Sequence, residues 1–402
     1  MAEKKADKKA DKNEHATVFD YLTWRGDLTF AQDGFNEVDN LILCIISYIN
    51  FKKISRLWST DPAEAMLMSE VCPLLTQEDE QLGLSDEDYI PLMRAAAQTK
   101  RFSEVKLFAY ESRRDDVQEM QFNAVSFLLP DNSVFVAYMG TDRSFAGWKE
   151  DFNMSFLEAV PAQVRATEYA MEIAAVCPDR TLRIGGHSKG GNLAAWAAVH
   201  IPEKLQNRMA AAYNNDGPGF SKGFLEREEY KRVAEKIHTY IPESSIVGVL
   251  LEHAEDYAVI DSNNRAVMQH EPLSWGVLGA KFVHLGQRSQ LGQLSDGVLQ
   301  DWIGSLSAEE REAFSEALFE ILSISGKVHT LDDLREGGLA GGAALLKGYI
   351  GADEKKKRII TEVFHRLAVD IKEEVMRSAE EGIKSATEGI KSATQVFSDL
   401  RK

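Results

Sequence analysis

Cysteine is scarce in this 402-residue chain: three thiols, Cys44, Cys72 and Cys177, odd in number and far apart. That pattern leaves no disulfide framework and no CxxC metal pair, and it points to reduced thiols in a cytosolic setting. Glycine (28) and proline (10) are too few for collagen-like or low-complexity chains. Positive charge is in deficit, with a net charge of −17. Nucleic-acid binding needs clustered Lys and Arg, so no nucleic-acid partner is expected; the basic runs Lys4–Lys12 and Lys355–Arg358 read as solvated tail and helix face. No run approaches the roughly 20 apolar residues of a membrane span. The best stretch, Leu41–Phe51, is short and interrupted by Ser47 and Asn50, and the lysine-rich start lacks the apolar stretch of a secretory signal. A cytoplasmic protein without a transmembrane segment is the expectation.

What is present is ordinary globular material, 44% hydrophobic and 27% charged. Residues 1–15 are expected to be a charged, disordered arm. Residues 16–100 carry helical spacing, as at Val38, Leu41, Ile42, Ile45, Ile46 and Ile49. They are expected to make a helical N-terminal layer packed on the region C-terminal to it. From residue 101 the texture changes. Val105–Tyr110, Phe122–Leu129, Val134–Tyr138, Leu182–Ile184, Met209–Tyr213, Ile237–Ile241, Tyr257–Ile260 and Lys281–Leu285 read as strands. Helical runs at Arg165–Val176, Asn192–His200 and Glu226–Lys236 separate several of them. Strands alternating with helices predict an α/β core over 101–286, a largely parallel sheet covered on both faces. Residues 287–380 are helical in pattern, with helices expected at Leu299–Leu306, Ala308–Ile324, Thr330–Leu334 and Lys356–Met376. In the tail, 381–402, EGIKSAT at Glu381–Thr387 recurs at Glu388–Thr394 and puts Ile383, Ile390 and Phe397 on one stripe. Either a frayed amphipathic helix or a partner-binding one, able to self-associate, fits that stripe.

The strongest chemical signal is Gly186-His187-Ser188-Lys189-Gly190, placed between an expected strand and an expected helix. A nucleophile elbow needs that context, because the serine occupies a strained turn and side chains two residues either side would collide with strand and helix. The Lys189 amide at the start of the helix can face a developing oxyanion. Serine also needs a base, which in this fold follows it in the chain. His200 and His238 fall within regular elements. His270, in a late loop before Trp275, is the expected base, with His253 and His284 in reserve. The turn Met139-Gly140-Thr141-Asp142 ends a strand, and Thr141 can offer an amide and a hydroxyl to the oxyanion. Lys189 could meet an anionic head group or pair with a surface acid. Phe145, Trp148, Phe152 and Phe156 share one helical face and suit either a lid or core packing.

Ala137–Asp142 followed by Trp148 and Asp151 resembles the "GT … W … D" segment of class 3 lipases. GGHSKGGNLA, NNDGPGF, IPESSIVGVLLEH and QHEPLSW, in that order, are similar to an uncharacterised bacterial family, domain of unknown function 2974, grouped with those lipase-like α/β hydrolases. Asp20-Tyr21, Trp24–Asp27 and Asp39 resemble that family's N-terminus, so the likeness spans most of 17–335. It implies an α/β-hydrolase fold with Ser188 as nucleophile, His270 as base and Thr141 in the oxyanion hole. One position departs from the pattern. Where class 3 lipases carry the triad Asp, the matching turn Glu243–Gly248 has Ser245. A serine cannot stabilise an imidazolium by charge. Asp216 is the expected substitute, a turn-capping Asp being the plainer reading, and Glu243 and Asp261 are the alternatives. The expected activity is cleavage of a small-molecule or lipid acyl ester, with no cofactor and no metal. A weak or inactive hydrolase-fold scaffold, binding a partner through its helical ends, is the alternative.

Overall fold

Along Ser133–Tyr138 every residue is buried and apolar side chains alternate between two cores, so this strand must be covered on both sides. Val134, Val136 and Tyr138 enter one hydrophobic cluster; Phe135 and Ala137 enter another. This is the fourth strand of a nine-stranded sheet seen in the computed structural model, which describes residues 15–76, 89–115, 117–142, 145–154, 157–289, 305–324, 353–363 and 365–366. The charged arm up to residue 14, the helices expected at Leu299–Leu306 and Thr330–Leu334 save for residues 305 and 306, and the repeated tail lie outside the described residues.

The strands are β1 (Met66–Leu67), β2 (Lys106–Asp115), β3 (Met120–Leu128), β4 (Ser133–Tyr138), β5 (Thr181–His187), β6 (Met209–Asn215), β7 (Ile237–Pro242), β8 (Ala258–Ile260), β9 (Val277–Leu278), β10 (Lys281–Phe282) and β11 (His284–Leu285). The large sheet runs β1 to β8 in chain order and ends on β11. β4 through β8 are parallel; β1–β4 and the β8/β11 pair are antiparallel. The run expected as one strand at Lys281–Leu285 is split at Val283. Its first half pairs with β9 in a separate hairpin, and its second half closes the large sheet.

Helices are α1 (Val18–Arg25), α2 (Glu37–Ile46), α3 (Met68–Val71), α4 (Ile90–Ala97), α5 (Phe145–Asn153), α6 (Pro161–Val176), α7 (Lys189–His200), α8 (Glu203–Arg208), α9 (Lys222–Leu225), α10 (Glu228–Val233) and α11 (Ala308–Ile324). Parallel strands laid down in chain order, each joined by a right-handed crossover, put their connecting helices on one face. The cores agree with this. Side chains of α6, α7 and α10 share a cluster with Val134, Val136, Ile184 and Ala212. The opposite face would be bare, and it is covered instead by α1, α2 and α4, packed on Phe135, Ala137, Ala211, Tyr213 and Tyr240. A Cβ added at Gly185 would lie 2.8 Å from Asn40 Oδ1 and 3.1 Å from Cys44 Sγ, so α2 rests almost directly on β5.

That covering layer is anchored by a buried charge pair. Arg101 donates to Asp39 at 2.7 and 2.6 Å, both residues are fully buried, and Tyr21 donates to Asp39 Oδ1 at 2.8 Å. Burial pushes the Asp39 carboxyl up, and the Arg101 fork opposes it. Removing either member leaves an unpaired charge in the core, which costs about 3–5 kcal/mol.

Candidate active site

The site lies at the carboxyl ends of β4–β7, where parallel α/β sheets place their loops. β5 ends at His187 and α7 starts at Lys189, so Ser188 alone makes the turn, with φ of 58° and ψ of −133°. A positive φ is strained for a residue with a Cβ, and it needs enforcement by its surroundings. The glycines permit the bend: a Cβ at Gly186 would sit 2.1 Å from the Gly190 backbone, and one at Gly190 would sit 2.1 Å from the Tyr138 carbonyl oxygen. The Ser188 amide donates to the Asn215 carbonyl at 3.0 Å, pinning the elbow to the end of β6.

Asp216 follows immediately, again at positive φ (54°), and is fully buried. Its Oδ2 accepts from His270 Nδ1 at 2.6 Å and from the Ser245 hydroxyl at 2.6 Å. It therefore caps no turn. A carboxylate only accepts, so the proton sits on Nδ1 and the Nε2 lone pair of His270 is left free. Ser245, in the position where an acid was expected, is a second donor to that acid. The Asp216 Oδ1 side is closed by Gly248, where a Cβ would come within 2.2 Å.

Each competing residue has a different engagement. Asp261 accepts from His15 Nε2 at 2.8 Å, and Glu243 accepts from Gln269. His284 reaches Glu37 at 2.9 Å, His200 bonds to the Trp196 carbonyl, and His238 lies against Tyr213. His253 is held between the Gly248 carbonyl at 2.7 Å and Glu255 at 3.1 Å. Burial pushes the Glu255 carboxyl up, but His253, Thr239 and Tyr230 outweigh it and bring it down to about 2.

His270 is also held by residues that sequence reasoning passed over. His187 Nε2 lies 2.9 Å from the His270 carbonyl, and the two rings lie 4.6 Å apart, tilted by 32°. That carbonyl can only accept, so His187 carries its proton on Nε2 and accepts a hydrogen bond from the Tyr48 hydroxyl at Nδ1, 2.9 Å away. Burial, reinforced by His270, keeps His187 well below the ordinary imidazole range. Tyr48 comes from just after α2, in the covering layer. Gln269 accepts from the Ser244 amide, its carbonyl accepts from Trp275 Nε1, and Glu271 accepts from Tyr89. The available signal for His187 was its place inside the elbow; nothing in the order of residues marked Tyr48.

The Gly140-Thr141 turn meets the elbow directly, since a Cβ at Gly140 would lie 3.0 Å from Ser188 Cβ. The Thr141 hydroxyl is not free for an oxyanion, because it donates to Asp151 Oδ2. Burial pushes the Asp151 carboxyl up to about 7 against the pull of Lys189 and Thr141. Lys189 also differs from expectation. Its side chain is buried, and it pairs with the buried Glu150 at 3.0 Å rather than with a surface acid or an anionic ligand. Its ammonium further donates to Gln121 Oε1 at 2.6 Å and to the Gln121 carbonyl at 3.0 Å. Phe152 packs on Phe314 of α11, with ring centroids 5.4 Å apart. The side chains of Phe145 and Trp148, and Phe156 altogether, lie outside the described residues.

Ser188 is buried, 9% exposed, and its Oγ makes no hydrogen bond to any described residue. The His270 ring is 23% exposed. A cavity of about 240 Å³ lies one helical turn along α7, lined by Met154, Leu157, Asn192, Trp196, Phe220 and Leu251 among others. No group of three His, Cys, Asp or Glu side chains among the described residues is placed to hold a metal.

A family profile named Mbeg1-like matches residues 96–320, more than half of the chain. The chain belongs to the Mbeg1-like family. That match takes in the elbow, Asp216 and His270 but stops short of Tyr48 and the rest of the covering layer. A comparison with curated proteins found no match. Among solved structures, the Rhizomucor miehei lipase–propeptide complex is similar at 14% identity and TM-score 0.38, covering 59% of this chain and 80% of that one. Lip2 lipase from Yarrowia lipolytica is similar at 13% identity and TM-score 0.34, covering 61% of this chain and 91% of that one. This family member carries its own α/β sheet order, parallel from β4 to β8. Among its described residues no helix is long and apolar enough to cross a membrane.

Proposed function

We propose that this Mbeg1-like chain is a serine hydrolase that cleaves carboxylic esters. Ser188 Oγ attacks the acyl carbonyl carbon while His270 Nε2 takes its proton. Asp216 holds the Nδ1–H and stabilises the imidazolium that forms. The amides of Thr141 and Lys189 receive the oxyanion, a role in which one lost donor costs about 10²–10³ in rate. The imidazolium then protonates the departing alcohol, and water repeats the cycle to release the acid.

The observation that carries this reading is the 2.6 Å bond between His270 Nδ1 and a fully buried Asp216 beside the elbow. An oriented imidazole with a free Nε2 next to a serine at positive φ has little structural purpose, since strain of that kind persists where function needs it. The acid arriving from the end of β6 rather than β7 is a change of address, with Ser245 occupying the vacated turn.

A fluorophosphonate probe should label the protein at Ser188, and Ser188→Ala should abolish both labelling and hydrolysis of p-nitrophenyl butyrate. Folded protein that never labels would favour the scaffold reading, which draws support from the missing Ser188–His270 hydrogen bond.

A further inference from the structure

Helix α5 begins four residues after Thr141 and lies against that turn, so that a Cβ at Gly147 would come within 3.0 Å of Thr141 Cγ2 and of Asp142 Oδ1. An element in this place can be a cover that swings away or a fixed wall. The two differ in what fastens it. Lys149 bonds to Glu119 at 2.5 Å. Glu150, fully buried, accepts from the Gln121 amide at 3.1 Å, from Lys189 Nζ at 3.0 Å and from the Ala162 amide at 2.9 Å. Asp151 accepts from Thr141, Phe152 packs on Phe314, and Asn153 bonds to Glu119 and Ser315. Five consecutive residues are thus tied to the turn before β3, to β3 itself, to the elbow helix, to the start of α6, to Thr141 and to α11.

The decisive tie is Lys189 to Glu150. Lifting α5 would leave the buried Lys189 ammonium without its counter-charge, with only the neutral Gln121 oxygens to accept from it, which suppresses the lifted state by a factor of about 10²–10³. Among the described side chains of α5, the apolar Phe152 packs on Phe314 of α11 rather than being offered to a lipid interface. With the helix in place the His270 side chain is 23% exposed and Ser188 9% exposed.

Resting on the hydrolase reading above, we infer that α5 is a fixed wall and that the substrate is a dissolved, monomeric ester, reached without a lipid–water interface. Lys189, the residue after the nucleophile, is the determinant, since its side chain bolts the wall to the elbow.

Two measurements test this. Hydrolysis of p-nitrophenyl butyrate should saturate below its solubility limit and change less than about twofold on crossing that limit or on adding phosphatidylcholine vesicles; a jump of about tenfold or more in either case overturns the inference. Hydrogen exchange of the amides in 145–153 should stay within about tenfold of those in β5 and be unaffected by the same vesicles. Vesicle-induced exchange in α5 also overturns it. Lys189→Met should raise α5 exchange about 100-fold, and Glu150→Gln, which removes the charge and keeps a single acceptor oxygen, should raise it less. If Lys189→Met does not fold, the Glu150→Gln result decides, and unchanged exchange there counts against the bolt. Should Ser188 resist the fluorophosphonate while α5 stays protected, the hydrolase reading fails and the fixed helix stands.

Discussion

The elbow and the segment bearing His270 face each other across the same sheet edge, yet they are held in different ways. The elbow is short-range architecture. β5, the turn and α7 lie within twenty residues, and glycines let backbone touch backbone where a Cβ would sit 2.1 Å away. The His270 segment is a one-turn 3₁₀ piece with little structure of its own, fixed by side chains from far away in the chain: Asp216, His187, Ser244 and, from the covering layer, Tyr89 through Glu271. Backbone packing gives a rigid, all-or-none element; a web of single hydrogen bonds gives one that loosens by degrees.

The largest expected effect breaks the short-range side. Gly190→Ala drives a Cβ into the Tyr138 carbonyl and should cost more than about 3 kcal/mol, seen as loss of folded protein in denaturant unfolding. A variant as stable as the parent would mean the elbow is looser than its contacts indicate.

Next comes the long-range side at its strongest bond. Asp216→Asn tolerates the positive φ and keeps an oxygen for Ser245 but loses the charge, so kcat should fall about 10³–10⁴-fold in a protein that still unfolds at nearly the same denaturant concentration. A fall below about tenfold would remove Asp216 from the proposed mechanism.

Smaller again is Tyr48→Phe. It takes one hydrogen bond from His187 and should lower kcat about five- to tenfold with KM unchanged. An equal rise in KM would instead place Tyr48 against the substrate.

The mildest test is pH. Glu255 is held near 2 against an ordinary 4.5, so the stability it supplies is whole above pH 4.5 and drains away as pH falls towards 2. Glu255 and His253 brace the loop with Gly248, which backs Asp216. Below pH 4.5, amides of 243–253 should therefore exchange faster than those of β5, and Glu255→Gln should flatten that difference. Equal acid sensitivity of the two regions would erase the contrast between them.

Much of the architecture was legible because its signals are local. The apolar runs at Phe122–Leu129 and Val134–Tyr138 fall on β3 and β4, and GHSKG falls on the strand–turn–helix junction, since strand burial and tight-turn sterics act within a few residues. The division at Val283 was not legible, because both halves have the same β-forming composition and only their partners differ. Nor was the fate of Lys189. A lysine is ordinarily solvated, and its burial here depends on Glu150 and Gln121, which fold back from 39 and 68 residues away.

Residue order alone thus indicated the parallel strands and the strand–turn–helix junction at Ser188, because steric fit and apolar periodicity are properties of neighbouring residues. Which carboxylate meets that imidazole, which tyrosine steadies it and whether α5 is bolted down were decided only when distant segments converged on one sheet edge. A charge or a hydrogen-bond donor has no assigned partner until folding brings one within about 3 Å and removes the water between them.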